Sequence, residues 1–444
     1  LPDAINHASP VFYHEEALMK KVVLVAVIFS FLGAGDLFAN IDNLSNMSVE
    51  WIRTGNRNAA TDAADIVIYN PGGITQLPDG LQVNIGNQTL IRKPKHTYDL
   101  GMGSQSHEQD DVDWLLPNVY VTYNKDNWAL FGGYYIPGGG AVVDYPNGSI
   151  TTDMIGMNMI MGGAVQGFDD DFLEAESIYN TLTFGGAYQI NERISVALGL
   201  RYMFIENNTK AGLTGINDLG GGNVVRTRLK VDIDDEADGF GFIAGVNVNL
   251  TPDLNLGVQY LSRVALDLET DVNRDDLGMF VDGSESPRDY PGMLGLGLGY
   301  DFSDKLYGEI NYSYWFQEEA DWGRDAAGRD ISGMAGDAQA VGIAVSYKFT
   351  PTILASAGTT YTDFMWDDID GYYQANLGSY EVLYTDNWHL GCGVAYEFRK
   401  NMKVNLALGS TIWDDKDLSN TMIPGEIKTE NSTTTIAIGF NLGF

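Results

Sequence analysis

The chain has 444 residues, 44% of them hydrophobic, with 52 glycines and a formal charge of -34 from 60 Asp and Glu against 26 Lys and Arg. So acidic a composition excludes nucleic acid as a partner, because a phosphate backbone is held by clustered Lys and Arg. A mean hydropathy of -0.12, with no long apolar run beyond residue 40, excludes a bundle of spanning helices, and the single Cys392 excludes an intrachain disulfide or a multi-cysteine zinc site.

Residues 1–18 have no export character and precede Met19, so they read as an upstream extension. Met19-Lys20-Lys21, the apolar run Val22 to Leu32 and the small-residue stretch ending at Ala39 then have the layout of a secretory signal peptide, with cleavage expected after Ala39. Residues 40–79 follow. They are rich in small residues and mixed in polarity, which rules out a membrane strand and suits a plug.

From Leu81 onward the dominant period is two, the β signature. Fourteen segments carry it, near 81–91, 114–124, 127–136, 176–190, 193–206, 239–251, 254–269, 292–303, 305–316, 339–349, 352–362, 386–398, 402–413 and 432–444. In the seventh, alternation sets Leu254, Leu256, Val258, Tyr260, Val264, Leu266 and Leu268 outward and Asn255, Gln259, Arg263 and Asp267 inward. Short connections such as Asn124-Lys125-Asp126-Asn127 alternate with acidic, Gly- and Asn-rich stretches such as Pro137 to Ala175, Glu206 to Asp238 and Asp363 to Asp386. Val224 to Ile233 also alternates and is taken as a loop extension of the sixth strand.

Short turns on one side and long loops on the other predict an all-β protein: a fourteen-stranded antiparallel transmembrane β-barrel, residues 80–444, with its turns in the periplasm. Aromatic pairs near strand ends, such as Tyr300 and Phe302, Tyr347 and Phe349, and Tyr396 and Phe398, suit the headgroup level of a bilayer. The terminal Phe444 resembles the carboxy-terminal signal read by the barrel-assembly machinery of the bacterial outer membrane. A barrel of this size is too wide for its own side chains to fill, so residues 40–79 are expected inside it as a hatch.

The hatch carries the more specific pattern. Asp62, Asp65, Ile66, Val67, Asn70, Pro71, Gly72 and Gly73, just before the first strand, resemble the FadL/TodX (OMPP1) family of outer-membrane transporters for long-chain fatty acids and aromatic hydrocarbons. Trp128 to Gly140, Gln259-Tyr260-Leu261-Ser262-Arg263-Val264 and Asn311-Tyr312-Ser313-Tyr314-Trp315 are similar too, in the same order. The resemblance implies passive uptake of hydrophobic small molecules by a monomer set in outer-membrane lipid and lipopolysaccharide. Cargo would land among the extracellular loops, reach a pocket over the hatch and leave sideways beside a kinked third strand.

Candidate positions follow. Gly132, Gly133 and Pro137 lie in and after the third strand, where paired glycines permit a bulge. Met154, Ile155, Met157, Met159, Ile160 and Met161 form a pliable apolar cluster suited to ligand docking, or to a loop core. Arg201 and Arg263 face the lumen by alternation, where either attracts a carboxylate or pairs with Asp62, Asp65, Glu309 or Asp267; Arg53 and Arg57 in the hatch are open to both readings. No Gly-x-Ser-x-Gly, His-Glu-x-x-His or P-loop is present, so no catalytic residue, cofactor or metal is expected. Two alternatives stay open. A hydrophilic diffusion porin requires residues 40–79 outside the lumen, and a docking or shuttle subunit of a secretion system requires a lumen sealed at both ends.

Overall fold

The computed structural model describes residues 47–101, 103–109, 112–325, 327–376 and 378–444. The expected extension, the export signal and the first residues of the hatch lie outside them. Seventeen strands form one continuous sheet. Two passes are each broken into two strands and Ser284–Pro287 is a loop addition, which leaves fourteen passes of the wall. They are Gly80–Arg92, Val112–Lys125, Trp128–Tyr135 continued by Gly139–Tyr145, Gly167–Gln189, Ile194–Asp218, Val224–Asn249, Leu254–Leu261 continued by Asp267–Asp275, Gly292–Ser303, Leu306–Phe316, Ala338–Thr350, Ile353–Phe364, Asn387–Arg399, Met402–Trp413 and Ser432–Gly443, numbered first to fourteenth. Every pass is antiparallel to its neighbour, and the first closes on the fourteenth from Gln82↔Gly443 to Arg92↔Thr433. Closure removes the edges that an open sheet exposes.

The outer face is apolar and unshielded. Phe184, Leu198, Leu200, Ile343, Leu390, Leu406 and Ile436 are all exposed, and Cys392 is exposed among them. A continuous apolar surface of this extent needs hydrocarbon rather than water around it. At the turn end Tyr300 with Phe302, and Tyr347 with Phe349, meet edge to face at 4.8 and 4.9 Å between ring centroids. Their half-apolar, half-polar character suits the interface.

Three passes outrun the bilayer. The fourth, fifth and sixth have 23, 25 and 26 residues, whereas a tilted membrane strand needs about 9–11. The stretch expected as a loop from Glu206 to Asp238 is mostly ladder, running unbroken from Ile194↔Val248 to Asp218↔Val224. Alternation persists there, with Leu213, Leu229, Val231 and Ile233 buried on one face and Lys210, Asp232 and Asp234 on the other, wetter one. Val224 to Ile233 is the upper half of the sixth pass. Above the wall Lys95–Asp99, Ser104–Glu108, Lys416–Asn420 and Ile423–Glu430 make a separate four-stranded sheet.

Two irregularities change which side chains face inward. The ladder through Gly132 and Gly133 is regular. The third pass instead breaks at Ile136, Pro137 and Gly138, where Pro137 has no N–H to give a ladder and Gly139 takes φ +61°. In the seventh pass Gln259 and Leu261 are buried, but so are Ser262, Val264, Leu266 and Leu268. A slip of one residue at Leu261-Ser262 exchanges the faces. Arg263 is therefore turned out of the lumen and pairs with Asp289 at 2.9 Å. The three apolar residues expected against lipid pack inside on Tyr179, Met203, Ile205 and Tyr290.

Candidate functional site

Residues 47–79 fill the lower lumen. Ser48 caps the helix Val49–Thr54 by accepting from the Trp51 N–H, and Gly55, at φ +66°, ends it. Two short 3-10 turns follow, Ala64–Val67 and Pro71–Gln76, the second with proline in its first turn, where a missing N–H costs nothing. Ile52, Ile66, Val67, Ile68 and Ile74 are buried, so the hatch has an apolar centre of its own.

Its rim is polar, because the inner wall is. Glu50 Oε1 accepts from the amides of Asn84, Asn405 and Asn441 at 2.9, 3.0 and 2.9 Å, and Arg53 donates to Asn405 Oδ1 at 3.0 Å. Asn70 Nδ2 donates to Asn247 Oδ1 at 2.7 Å, and Ser195 donates to the Gly72 carbonyl at 2.7 Å. Arg57 grips Asp65 with two bonds, 3.0 and 2.6 Å, and reaches Asp62 at 2.7 Å. Burial works against the charge on Arg57, but the two carboxylates outweigh it and hold its pKa well above the ordinary value. The hatch arginines thus serve the hatch. Wall glycines let the hatch backbone approach: a Cβ on Gly358 would lie 1.8 Å from the Thr54 carbonyl, and one on Gly257 1.9 Å from that of Asn58.

Above the hatch lies a chamber of polar and aromatic lining. Its floor is Trp51, Asn56, Arg57 and Asn58, and its walls alternate Thr360, Thr411 and Thr433 with Trp315, Phe364 and Trp413. The imidazole of His389 packs on the Trp51 ring at 4.7 Å and bonds Thr411 at 3.2 Å, a structural arrangement. Val382 and Tyr384 close it from outside. They belong to a lid in which Tyr372, Tyr373 and Tyr380 pack on one another and Tyr373 donates to the Tyr384 carbonyl at 2.7 Å.

The chamber reaches the wall where the wall is incomplete. The ladder between the second and third passes runs only from Lys125↔Trp128 to Val119↔Tyr134. Beyond it, among the described residues, no register joins Val112–Asn118 to the third pass; Asp113 accepts from the Val142 N–H at 2.7 Å as a side-chain bridge. The opening is filled by Leu90, Leu116 and Ile136. Leu90 also lines the chamber. From the other side the Tyr290 hydroxyl donates to the Pro137 carbonyl at 3.3 Å, within the same break.

The chain matches the family described as outer membrane protein transport protein (OMPP1/FadL/TodX) over residues 53–404. It belongs to that family. Membership makes it an outer-membrane transport protein, and solved structures of the same architecture agree with the fold. A FadL homologue of Pseudomonas aeruginosa superposes with a TM-score of 0.68 at 12% identity, covering 91% of this chain and 100% of that one. The Pseudomonas putida toluene transporter TodX gives 0.62 at 14%, covering 91% and 100%. The Ralstonia pickettii toluene transporter TbuX gives 0.56 at 16%, covering 90% and 98%. A comparison with curated protein sequences gave no match.

Within this family member the remaining candidate residues fall as follows. The methionine cluster is a helix, Ile150–Met161, closed at its start by a reciprocal Ser149 and Thr152 capping box. Met154, Ile155 and Met159 are buried, Met157 and Ile160 are half-buried, and Met161 alone of the six is exposed. Glu381 of the lid accepts from the Thr151 N–H at 2.9 Å and the Thr151 hydroxyl at 3.1 Å, so the lid is tied to this helix. Arg201 is fully buried. It donates to the Ser262 carbonyl at 3.4 Å and lies over the Tyr290 ring at 5.4 Å; it forms no ion pair with Asp62, Asp65, Glu309 or Asp267. Sequence reading gave no site role to Glu50, Trp51, Tyr290 or Glu381, and took Trp315 only as part of a family-like motif. For Glu50 the only signal was a charged residue among apolar ones in a short helix.

Proposed function

We propose that this chain carries hydrophobic small molecules passively from the cell exterior to the outer-membrane interior, entering over the helix Ile150–Met161 and leaving between the second and third passes. One observation carries the reading: the ladder stops at Val119↔Tyr134, and the opening beyond is packed by Leu90, Leu116 and Ile136 and crossed by the Asp113 to Val142 side-chain bond. Apolar side chains at a wall opening admit apolar cargo and resist water and ions. The neighbours described as toluene transporters, and another as a monoaromatic hydrocarbon channel, support aromatic hydrocarbons as one cargo class. The wide exposed apolar belt and Phe444 at the closing strand support insertion as a monomer by the barrel-assembly machinery.

The hatch is the part that separates this reading from a hydrophilic porin. In liposomes, the intact protein is expected to exclude small sugars, while deletion of residues 40–79 lets them through. Equal sugar entry with and without the segment would remove the hatch from the mechanism.

A further inference from the structure

Both lips of the lateral opening carry a proline. Pro117 stands in the second pass two residues beyond the last pair, Val119↔Tyr134, and Pro137 stands in the break of the third. Neither has an N–H to give, so backbone pairing is interrupted from both sides. Above the break, Gly139–Tyr145 pairs with the fourth pass from Gly139↔Ile178 to Tyr145↔Leu173. Its other edge faces the second pass without a ladder.

Side chains hold that edge instead. The Val142 N–H donates to Asp113 Oδ1 at 2.7 Å, and the Val142 carbonyl accepts from Gln109 Nε2 at 2.6 Å. Both halves of what a ladder would have satisfied are thus met by two residues of one neighbouring segment. Asp113 and Gln109 are buried, so water competes little for either bond. The carboxylate has a further tie, because Arg92 Nε lies 3.5 Å from Asp113 Oδ2. Arg92 ends the first pass and lines the chamber, so three passes meet at this one acid.

We propose that Asp113 and Gln109 form a latch on the lateral opening, positioning residues that hold the third pass to the second until cargo leaves. The inference rests on the transport reading above and names what limits its last step. A seam meant to stay shut is closed by backbone, as the fourth and fifth passes are from Gly167↔Ile216 to Gln189↔Ser195. A ladder parts only by breaking bonds along its length, whereas these two bonds release when two side chains change rotamer. Their release frees Leu90, Leu116 and Ile136 to separate. Arg92 steadies the carboxylate from the chamber side, which returns the latch to its closed position.

Hydrogen exchange and uptake test the latch separately. In the full detergent-solubilised protein, Asp113→Ala is expected to quicken amide exchange at Val142 about tenfold, with Trp128–Tyr135 unchanged. In cells carrying each variant at equal surface level, the initial rate of toluene uptake is expected to rise by about the same factor. Asp113→Asn keeps an oxygen for the Val142 N–H and is expected to stay close to the wild type in both readings. Sucrose stays excluded throughout, because the hatch is untouched; a wall that had merely loosened would admit it. Unchanged exchange in Asp113→Ala overturns the latch, and so does quickened exchange with uptake unchanged or slower. Should Asp113→Ala fail to give the heat-modifiable gel migration of a folded barrel, Gln109→Met, which frees the Val142 carbonyl, is judged by the same two readings. If the wild type takes up no more toluene than cells lacking it, the aromatic cargo of the transport reading fails, and exchange alone decides the latch.

Discussion

Arg57 shows how polar chemistry can hold a plug inside a membrane protein. Asp65 is fully buried, and its two oxygens are met by Arg57 and by the Ser48 hydroxyl at 2.8 Å. Replacing one partner of a buried pair leaves the other charge uncompensated, which typically costs about 3–5 kcal/mol. Arg57→Ala is therefore expected to loosen the hatch while leaving the wall intact. Single-channel recording should show intermittent openings at a urea concentration where the wild type stays closed, and a quiet trace would argue that Asp62 and Asp65 need no cation. The inward position of the wall residues that hold the hatch was legible, since Asn84, Asn405 and Asn441 sit on the polar face of alternating strands. Their common partner was not, because Glu50 lies in a segment with no periodicity to orient it. Arg263 marks a limit of the same kind. A one-residue slip leaves alternation intact on both sides of itself, so nothing in the pattern announces that the faces have been exchanged.

The helix Ile150–Met161 has one wet edge and one packed one, and its methionines divide accordingly. Met154 is buried in the main core and Met161 is 62% exposed. Met154→Ser is expected to destabilise the loops, with a cost of about 2–5 kcal/mol typical of emptied core positions, whereas Met161→Ser is expected to lower hydrophobic uptake with unchanged thermal unfolding. If both variants merely shifted unfolding, the helix would be packing and no landing surface. Sequence reading found this cluster but set it in a loop, because a helix wrapped on several sides loses the three-to-four-residue contrast that would reveal it.

The outer sheet joins the same helix through a titratable contact. His107 lies 3.3 Å from Asp153, which also accepts from the Tyr98 hydroxyl at 2.7 Å. Burial lowers the affinity of His107 for a proton, but the bond and charge of Asp153, with Asp171 and Glu381 beyond, outweigh it and raise the pKa above 6.5. A raised histidine favours the fold fully below its unfolded pKa and loses that contribution as pH rises through the folded value. Its register partner His96 is buried and pushed down to about 4, so it adds a loss only on the acid side. Hydrogen exchange in Ser104–Glu108 is expected to quicken, beyond its intrinsic pH dependence, from pH 6 to pH 8.5 in the wild type and much less in His107→Gln. The same increment in both would exclude the contact as its source.

At the scale of the whole molecule, the fourteen passes, their order and their direction followed from alternation and loop asymmetry, because a bilayer imposes one rule on every strand that crosses it. The two departures from that rule, in the third and seventh passes, meet at Tyr290. The first was expected, with Pro137 among its candidates but centred on the Gly132 and Gly133 pair, where the ladder is regular; the second was hidden, since a slip preserves local pattern. With the hatch bonded to the wall on several sides and glycines such as Gly358 fitted closely to its backbone, movement of cargo past the hatch into the periplasm would require many contacts to open together. The opening between the second and third passes requires that three apolar side chains move apart and that the Asp113 to Val142 bond release. A cross-link there should therefore stop transport without disturbing the fold. In a Cys392→Ser background, Leu116→Cys with Ile136→Cys joined by a short bis-maleimide is expected to reduce hydrophobic uptake to the level of protein-free liposomes, while either single variant treated alike keeps it. The lone native cysteine lies on the lipid face of the twelfth pass, well away in register, so its removal leaves the opening untouched. Undiminished uptake through the cross-linked wall would mean that the cargo goes past the hatch after all.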